Sequence, residues 1–305
     1  MLRDRLLSAS FLIAATALLL WLDHQHPLLG ISGFWLLPLL MAFTLFTAIE
    51  AIRLIGRTGR SIDMFGAVLG AGVIAGSACL PVVWPLTGEP YPADCPIGRC
   101  GWIVIASGFA ILGLLVRQMA SYDPARPGEA LERTLSGVFV SCYVGIPMAT
   151  LVAIRDLGDG NWGLAALISM IAVTKSADAG AYFSGKLLGR HKLIPKLSPG
   201  KTWEGAAGGV LFAIMVSFGC FFGLIPTLAK TEIAAPIWGP VVFGAVCAIF
   251  GMIGDLAESL VKRETGAKDS GSTLPGLGGV WDVTDSLIAT AIPAWVALAS
   301  GLAGS

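Results

Sequence analysis

Apolar runs of about 20 residues recur along the whole chain, broken by short polar stretches, and a run of that length is what a helix needs to cross a hydrocarbon core roughly 30 Å thick. Nine such runs, at 6–22, 33–49, 64–86, 101–119, 134–154, 162–182, 206–226, 236–258 and 281–303, predict nine spanning helices. The first run follows Arg3 and Arg5 in the manner of a signal peptide. It is too long for a cleaved signal and no small-residue cleavage site follows it, so it is expected to be retained. Gly66, Gly70, Gly72 and Gly76 stud the third run, where small residues let helix backbones approach. There is no fixed-period repeat, low-complexity tail or extramembrane domain. The pattern predicts an all-α integral membrane protein with about nine transmembrane helices in one continuous membrane domain.

The polar positions orient these helices. Cytoplasmic loops hold an excess of Lys and Arg. An inward N-terminus places 17 of the 20 basic residues in inside loops and leaves only Arg99, Arg155 and Lys230 outside. The N-terminus is therefore expected in the cytoplasm and the C-terminus outside. Composition agrees with a membrane protein: 55% of residues are hydrophobic, 13% are charged and mean hydropathy is +0.78, against about 25% charged in soluble domains. A net charge of zero offers nucleic acid no attractive field. Cys79, Cys142, Cys220 and Cys247 fall in apolar runs as small core residues. Cys95 and Cys100 sit in a Pro/Gly-rich loop that this topology turns outward, the one setting in which they could pair.

Chemistry concentrates in two inside stretches. The first, Thr174 to Gly209, opens with Asp178 at membrane depth, where an ionisable side chain is costly enough to suggest function. An ion pair with Lys175 on the same helix face is the plain alternative. Lys186, Arg190, Lys192, Lys196 and Lys201 follow, interleaved with Gly185, Gly189 and Gly200, a mixture that suits phosphate oxygens or anionic lipid headgroups. Ser198-Pro199-Gly200-Lys201-Thr202 imitates a P-loop, but Pro195 stands where that motif needs glycine, and no strand is expected before it.

The second stretch runs from Gly254 to Ser286. Asp255 and Glu258 are three residues apart at one helix end, and Asp282 and Asp285 repeat that spacing at the start of the next helix. An antiparallel pair of helices would gather these acids into an oxygen-only site for Mg²⁺. Between them lie Lys262, Arg263 and Lys268 as phosphate partners and Gly276, Gly278 and Gly279 as a backbone-exposing turn. Metal, cations and a glycine loop together imply phosphoryl or nucleotidyl transfer. Helix-end acids snorkelling beside basic residues is the plain alternative. His191 is the only inward histidine, which argues against histidine-driven catalysis.

Ser259, Lys262, Arg263, Lys268, Asp269, Gly271, Leu274, Pro275, Gly278, Gly279, Val280, Asp282 and Asp285 fall in register with a long motif, and in these residues the chain resembles the phosphatidate cytidylyltransferase (CDP-diacylglycerol synthase) family. Asp178, Ala181, Tyr182, Gly185, Gly189, Ser198, Pro199, Lys201, Thr202, Glu204 and Gly205 are similar to a second family block. Leu277 and Val283 depart from the usual His and Arg. The resemblance implies a nucleotidyltransferase of phospholipid synthesis that takes CTP and phosphatidate to CDP-diacylglycerol and diphosphate. Asp255, Asp282 and Asp285 would hold Mg²⁺, with Glu258 outside them and a second, monovalent cation left open. Lys262, Arg263, Lys268 and Lys201 would hold phosphates, Ser198, Gly278 and Gly279 would line the nucleotide site, and Asp178 and Tyr182 would either position CTP there or order the basic loop. It also implies a bacterial-type inner membrane location with the site facing the cytoplasm, membrane-lipid contacts and a homodimer. Residues 1–160 would form a lipid-facing scaffold and 161–305 the catalytic region. A CTP-dependent polyprenol kinase or another lipid cytidylyltransferase shares this metal logic. A transporter would need inverted repeats, and the two halves do not correspond.

Overall fold

The computed structural model describes residues 2–158, 160–230 and 236–301. Eight helices among them are long and apolar enough to cross a membrane, and a ninth span results if Met64–Ser77 and Cys79–Thr87, bent by 45°, count as one. In chain order the helices are α1 (Leu2–Gln25), α2 (Leu37–Gly56), α3 (Met64–Ser77), α4 (Cys79–Val83), α5 (Gly98–Ala120), α6 (Glu129–Arg155), α7 (Gly160–Leu188), α8 (Trp203–Gly219), α9 (Ile225–Ala229), α10 (Trp238–Glu264) and α11 (Val280–Ala299). A π-turn at Cys220–Leu224 joins α8 to α9 in one span. The bend between α3 and α4 falls just before Pro81, which cannot donate to the Ser77 carbonyl and whose ring crowds it. The last two residues of the expected run 281–303 lie outside the described residues.

The chain divides into two compact units, Met1–Ala153 with Val261–Thr284, and Ile154–Leu260 with Asp285–Ser305. Helices α10 and α11 each contribute to both. In the first unit α3 meets α6 through small residues. A Cβ on Gly145 would press on Ile74 and the Ala71 carbonyl, and one on Gly70 would strike Ser141. The Ser141 hydroxyl donates to the Ala67 carbonyl at 3.1 Å. Ile31, Ile74, Ala78, Val82, Ile103, Ala110, Ala149 and Val152 close the buried core around this contact. Asp63 caps α3 by accepting from the Gly66 N–H at 3.0 Å, and it also takes Gln118 Nε2 at 2.9 Å and the Arg117 guanidinium.

In the second unit α7 and α8 pair along a glycine seam, with Gly205 and Gly209 lying against the carbonyls of Ala181 and Ala177. Gly244 of α10 abuts the backbone of α8 at Ile214, while Gly251 faces Thr174, Ser286 and Thr290 and Gly254 faces the Asp285 carbonyl. Glycine thus lets α10 close on its neighbours at the level of the acids. Between α7 and α8, β1 (Lys192–Ile194) and β2 (Ser198–Thr202) form a small antiparallel hairpin with Lys192 opposite Thr202 and Ile194 opposite Ser198. The expectation of no strand ahead of the P-loop-like segment is therefore corrected. The segment is itself a strand, and Thr202 caps α8 by accepting from the Gly205 N–H at 3.1 Å. The Glu204 carboxylate folds the hairpin back, accepting from the backbone N–H groups of Arg190 and His191 at 3.1 and 3.2 Å.

Cys95 carries a free thiol. Tyr91 donates its hydroxyl to Cys95 Sγ at 3.3 Å, a bond that favours thiolate and, with backbone N–H groups of Ile97 and Gly98, lowers the Cys95 pKa below the ordinary thiol value. Removing the donor reverses that preference. Tyr91→Phe should move the pH midpoint of Cys95 alkylation upward, as followed by mass spectrometry of iodoacetamide-labelled peptide. The packing of α3 on α6 gives a second test. Gly145→Leu should destabilise the fold by roughly 2 kcal/mol and lower the melting temperature in detergent. Gly108→Leu, where a Cβ meets nothing within 4 Å, should leave it unchanged.

Candidate functional site

Helices α10 and α11 bring carboxylate oxygens of Asp255, Glu258 and Asp285 within 4.8 Å of one another. Glu258 is 1% and Asp285 7% exposed, so both are withdrawn from solvent. Asp255 and Glu258 share a face of α10 because they are three residues apart, and the missing side chain of Gly254 lets Asp285 approach from α11. Three anions this close repel one another unless cations intervene. Lys201 provides one, its ammonium 2.8 Å from Asp255 and 3.4 Å from the Met252 carbonyl. The donor set is oxygen only, the set preferred by hard divalent ions. Adjacent ligands of octahedral Mg²⁺ stand about 3 Å apart and opposite ones about 4.2 Å, so these acids would draw inward around such an ion. The residues fit a divalent metal.

A second polar group lies on α7 and α11. Lys175 Nζ donates to Ser286 Oγ at 2.8 Å and stands 3.5 Å from Asp178. Ser286 in turn donates to Asp178 Oδ2 at 3.2 Å, and the Ser286 N–H donates to Asp285 Oδ1 at 2.6 Å. The Lys175–Asp178 pair weighed from spacing is thus present and is extended to α11 by Ser286. It links the metal-candidate aspartate to α7.

Asp282, one turn before Asp285, has different partners. Its carboxylate accepts from Lys262 Nζ at 2.9 Å, the Ser270 hydroxyl and N–H at 2.6 and 2.8 Å, and the Gly279 N–H at 2.7 Å. It is not among the acids within 4.8 Å of one another. These bonds fold the segment between α10 and α11 into a tight loop in which Leu274 and Gly278 bridge and Gly276 and Gly278 adopt φ of +78° and +98°. A Cβ on Gly279 would strike Ser270 and Glu50. The paired glycines are therefore required by the approach of the acids. Leu277 takes part through its N–H to the Leu274 carbonyl, so its departure from histidine leaves the turn intact.

Other predicted residues are more open. Lys268 and Arg263 are exposed at the loop and the end of α10, and Ser198 and Lys201 lie half-buried on β2. Tyr182 is exposed beside Phe183, with Lys186 over its ring at 5.8 Å. Sequence reading overlooked Glu50, Ser270 and Ser286. Only Glu50 carried a signal, an acid at the end of an apolar run.

The fold and these carboxylates define a polytopic helical membrane protein with an oxygen-donor cluster suited to a hard cation. Comparison with known sequences narrows that class. A sequence model described as "Cytidylyltransferase family" matches residues 3–300, and the chain belongs to that family. It is 38% identical over 189 residues to the phosphatidate cytidylyltransferase of Brucella suis biovar 1 (strain 1330), covering 62% of this chain and 63% of the relative. The phosphatidate cytidylyltransferase of Haemophilus influenzae is 42% identical over 135 residues, 44% of this chain and 46% of that one. That of Mycobacterium bovis is 27% identical over 265 residues, 84% and 77%. The match thus spans just under two thirds of the length of the Brucella relative.

If the α10–α11 acids bind a divalent ion, Asp285→Asn and Asp255→Asn should each weaken Mn²⁺ binding at least tenfold, measured by paramagnetic resonance on purified protein. Asp4→Asn, at the opposite end of the sequence, should not.

Proposed function

We propose that this chain is a phosphatidate cytidylyltransferase, converting CTP and phosphatidate to CDP-diacylglycerol and diphosphate. One observation carries the reading. In a chain of the cytidylyltransferase family, two residues that stand in or beside the signature register, Asp255 and Asp285, meet with Glu258 in one cluster of carboxylate oxygens. The names of the relatives in Brucella, Haemophilus and Mycobacterium point to the same substrates.

In this reading an oxygen of the phosphatidate phosphomonoester attacks the α-phosphorus of CTP. The new P–O bond forms as the bond to the β-phosphate oxygen breaks, and its electron pair leaves on diphosphate. The nucleophile needs no protein base, because a phosphomonoester is largely ionised at neutral pH. Asp255, Asp285 and Glu258 would hold Mg²⁺, which when bound supplies charge neutralisation between the two anions. Lys201 sits against Asp255, placed to exchange that carboxylate for a phosphate oxygen. Lys175, through Ser286, holds the α11 end bearing Asp285. Asp282 orders the glycine loop and turns Lys262 inward, and Lys262, Arg263 and Lys268 serve as phosphate partners. Asp178, Tyr182, Ser198, Gly278 and Gly279 are assigned to the nucleotide side by family register. The same reading puts the chain in a bacterial inner membrane with its basic loops and site toward the cytoplasm, among membrane lipids. Assembly as a homodimer and a second, monovalent cation belong to it on family resemblance alone.

Purified protein in detergent, given phosphatidate and radiolabelled CTP, should place label in chloroform-extractable CDP-diacylglycerol only with Mg²⁺. Lys201→Met should lower kcat/KM by at least about tenfold through loss of a charged contact. Folded protein that leaves CTP untouched, or that yields a phosphorylated lipid without CMP, would overturn the reading.

A further inference from the structure

Glu50 lies on α2, far in sequence from every motif considered above, and is only 4% exposed. A buried carboxylate in an apolar helix is costly unless donors surround it. All the donors identified here come from the loop between α10 and α11 and its junction with α11. Thr273 Oγ1 donates to Glu50 Oε1 at 2.6 Å and the Trp281 N–H to Oε2 at 2.9 Å. Ser270 Oγ lies 3.2 Å from Glu50 Oε2 and 2.6 Å from Asp282 Oδ2, so its single proton sits between two acids. Gly271 and Gly279 run so close to the Glu50 carboxylate that a Cβ on either would collide with it.

We propose that Glu50 is a positioning residue for the glycine loop, holding Ser270, Thr273 and the start of α11 so that the loop's backbone and cations meet the nucleotide phosphates in a fixed shape. A carboxylate suits this place because it is acceptor-only and each group facing it is a donor. It works together with Asp282: Glu50 clamps the loop from α2, and Asp282 clamps it from α11 and adds the charge of Lys262. Ser270 belongs to both clamps, so loss of either acid shifts the hydroxyl to the other. Glu50 does not touch substrate and holds no metal in this scheme. The role given to the nucleotide rests on the function proposed above, whereas the ordering of the loop does not.

Two readouts on full-length protein in nanodiscs separate these. In Glu50→Gln, hydrogen exchange of residues 270–281 should accelerate about tenfold, the effect of one lost charge-assisted bond, with exchange in α3 and α5 unchanged. KM for CTP should rise by a similar factor while KM for phosphatidate and kcat stay within about twofold. Thr273→Val, which removes only the 2.6 Å bond, should show the same pattern more weakly and serves if Glu50→Gln fails to fold. In Glu50→Asp the shortened side chain should restore neither readout. Unchanged loop exchange in both Glu50→Gln and Thr273→Val would overturn the proposal, as would faster exchange throughout the protein with KM for CTP unmoved. A wild-type protein inactive toward CTP would instead sink the function, and loop exchange alone would then judge Glu50.

Discussion

Everything distinctive about this protein follows from placing carboxylates inside an apolar helical bundle. Each such group forgoes water, and in a low-dielectric setting its repulsion by neighbouring acids is strong. The polar groups around these acids answer that cost. Lys201 approaches Asp255, Lys175 and Ser286 engage Asp178, and Lys262, Ser270 and Gly279 surround Asp282. The glycines of α10 exist in the same logic, because Gly251 and Gly254 bring backbones close enough for short side chains to reach. The cluster of Asp255, Glu258 and Asp285, with Lys201 against one of its members, is the oxygen-donor group that suits a hard cation.

Much of this was legible in the sequence, for reasons that differ by feature. Apolar run length found the spans, because in lipid a helix satisfies every backbone group of a 20-residue apolar run within the run itself. It set their ends too early at α7 and α10, which continue to Leu188 and Glu264. Polar residues extend a helix beyond the hydrocarbon without changing its backbone, so hydropathy cannot see the final turns. The β1–β2 hairpin escaped notice because a three-residue strand leaves almost no periodic signal, and Ser-Pro-Gly-Lys-Thr reads as loop by composition. The bend at Pro81 needed only the rule that proline removes an N–H.

The site was legible in membership more than in partnership. Spacing identified Asp255, Glu258, Asp282 and Asp285 as an acidic set, yet residues three apart on a helix differ by about 60° in direction. That angle is enough to give Asp282 and Asp285 separate surroundings, a loop for one and a neighbouring helix for the other. Ser270 and Ser286, which decide those surroundings, are chemically unremarkable in a list of residues. Only the fold reveals that each hydroxyl stands between two charged groups.

The same geometry explains why a signature loop can tolerate Leu277 and Val283. The shape of the loop is fixed by main-chain groups and acids: the Leu274–Gly278 bridge, two glycines at positive φ, and the carboxylates of Asp282 and Glu50. Leu277 and Val283 carry apolar side chains with no hydrogen-bonding group, and both are only partly buried. A histidine or arginine at these positions would add contacts to a ligand without being needed to build the turn. Substitution there is therefore expected to act on affinity for the anion and to leave the loop fold alone, whereas exchange at Gly279, wedged between Ser270 and Glu50, strikes the frame itself. The motif thus contains two kinds of position, those that shape the backbone and those that dress it, and the departures in this chain fall on the second kind.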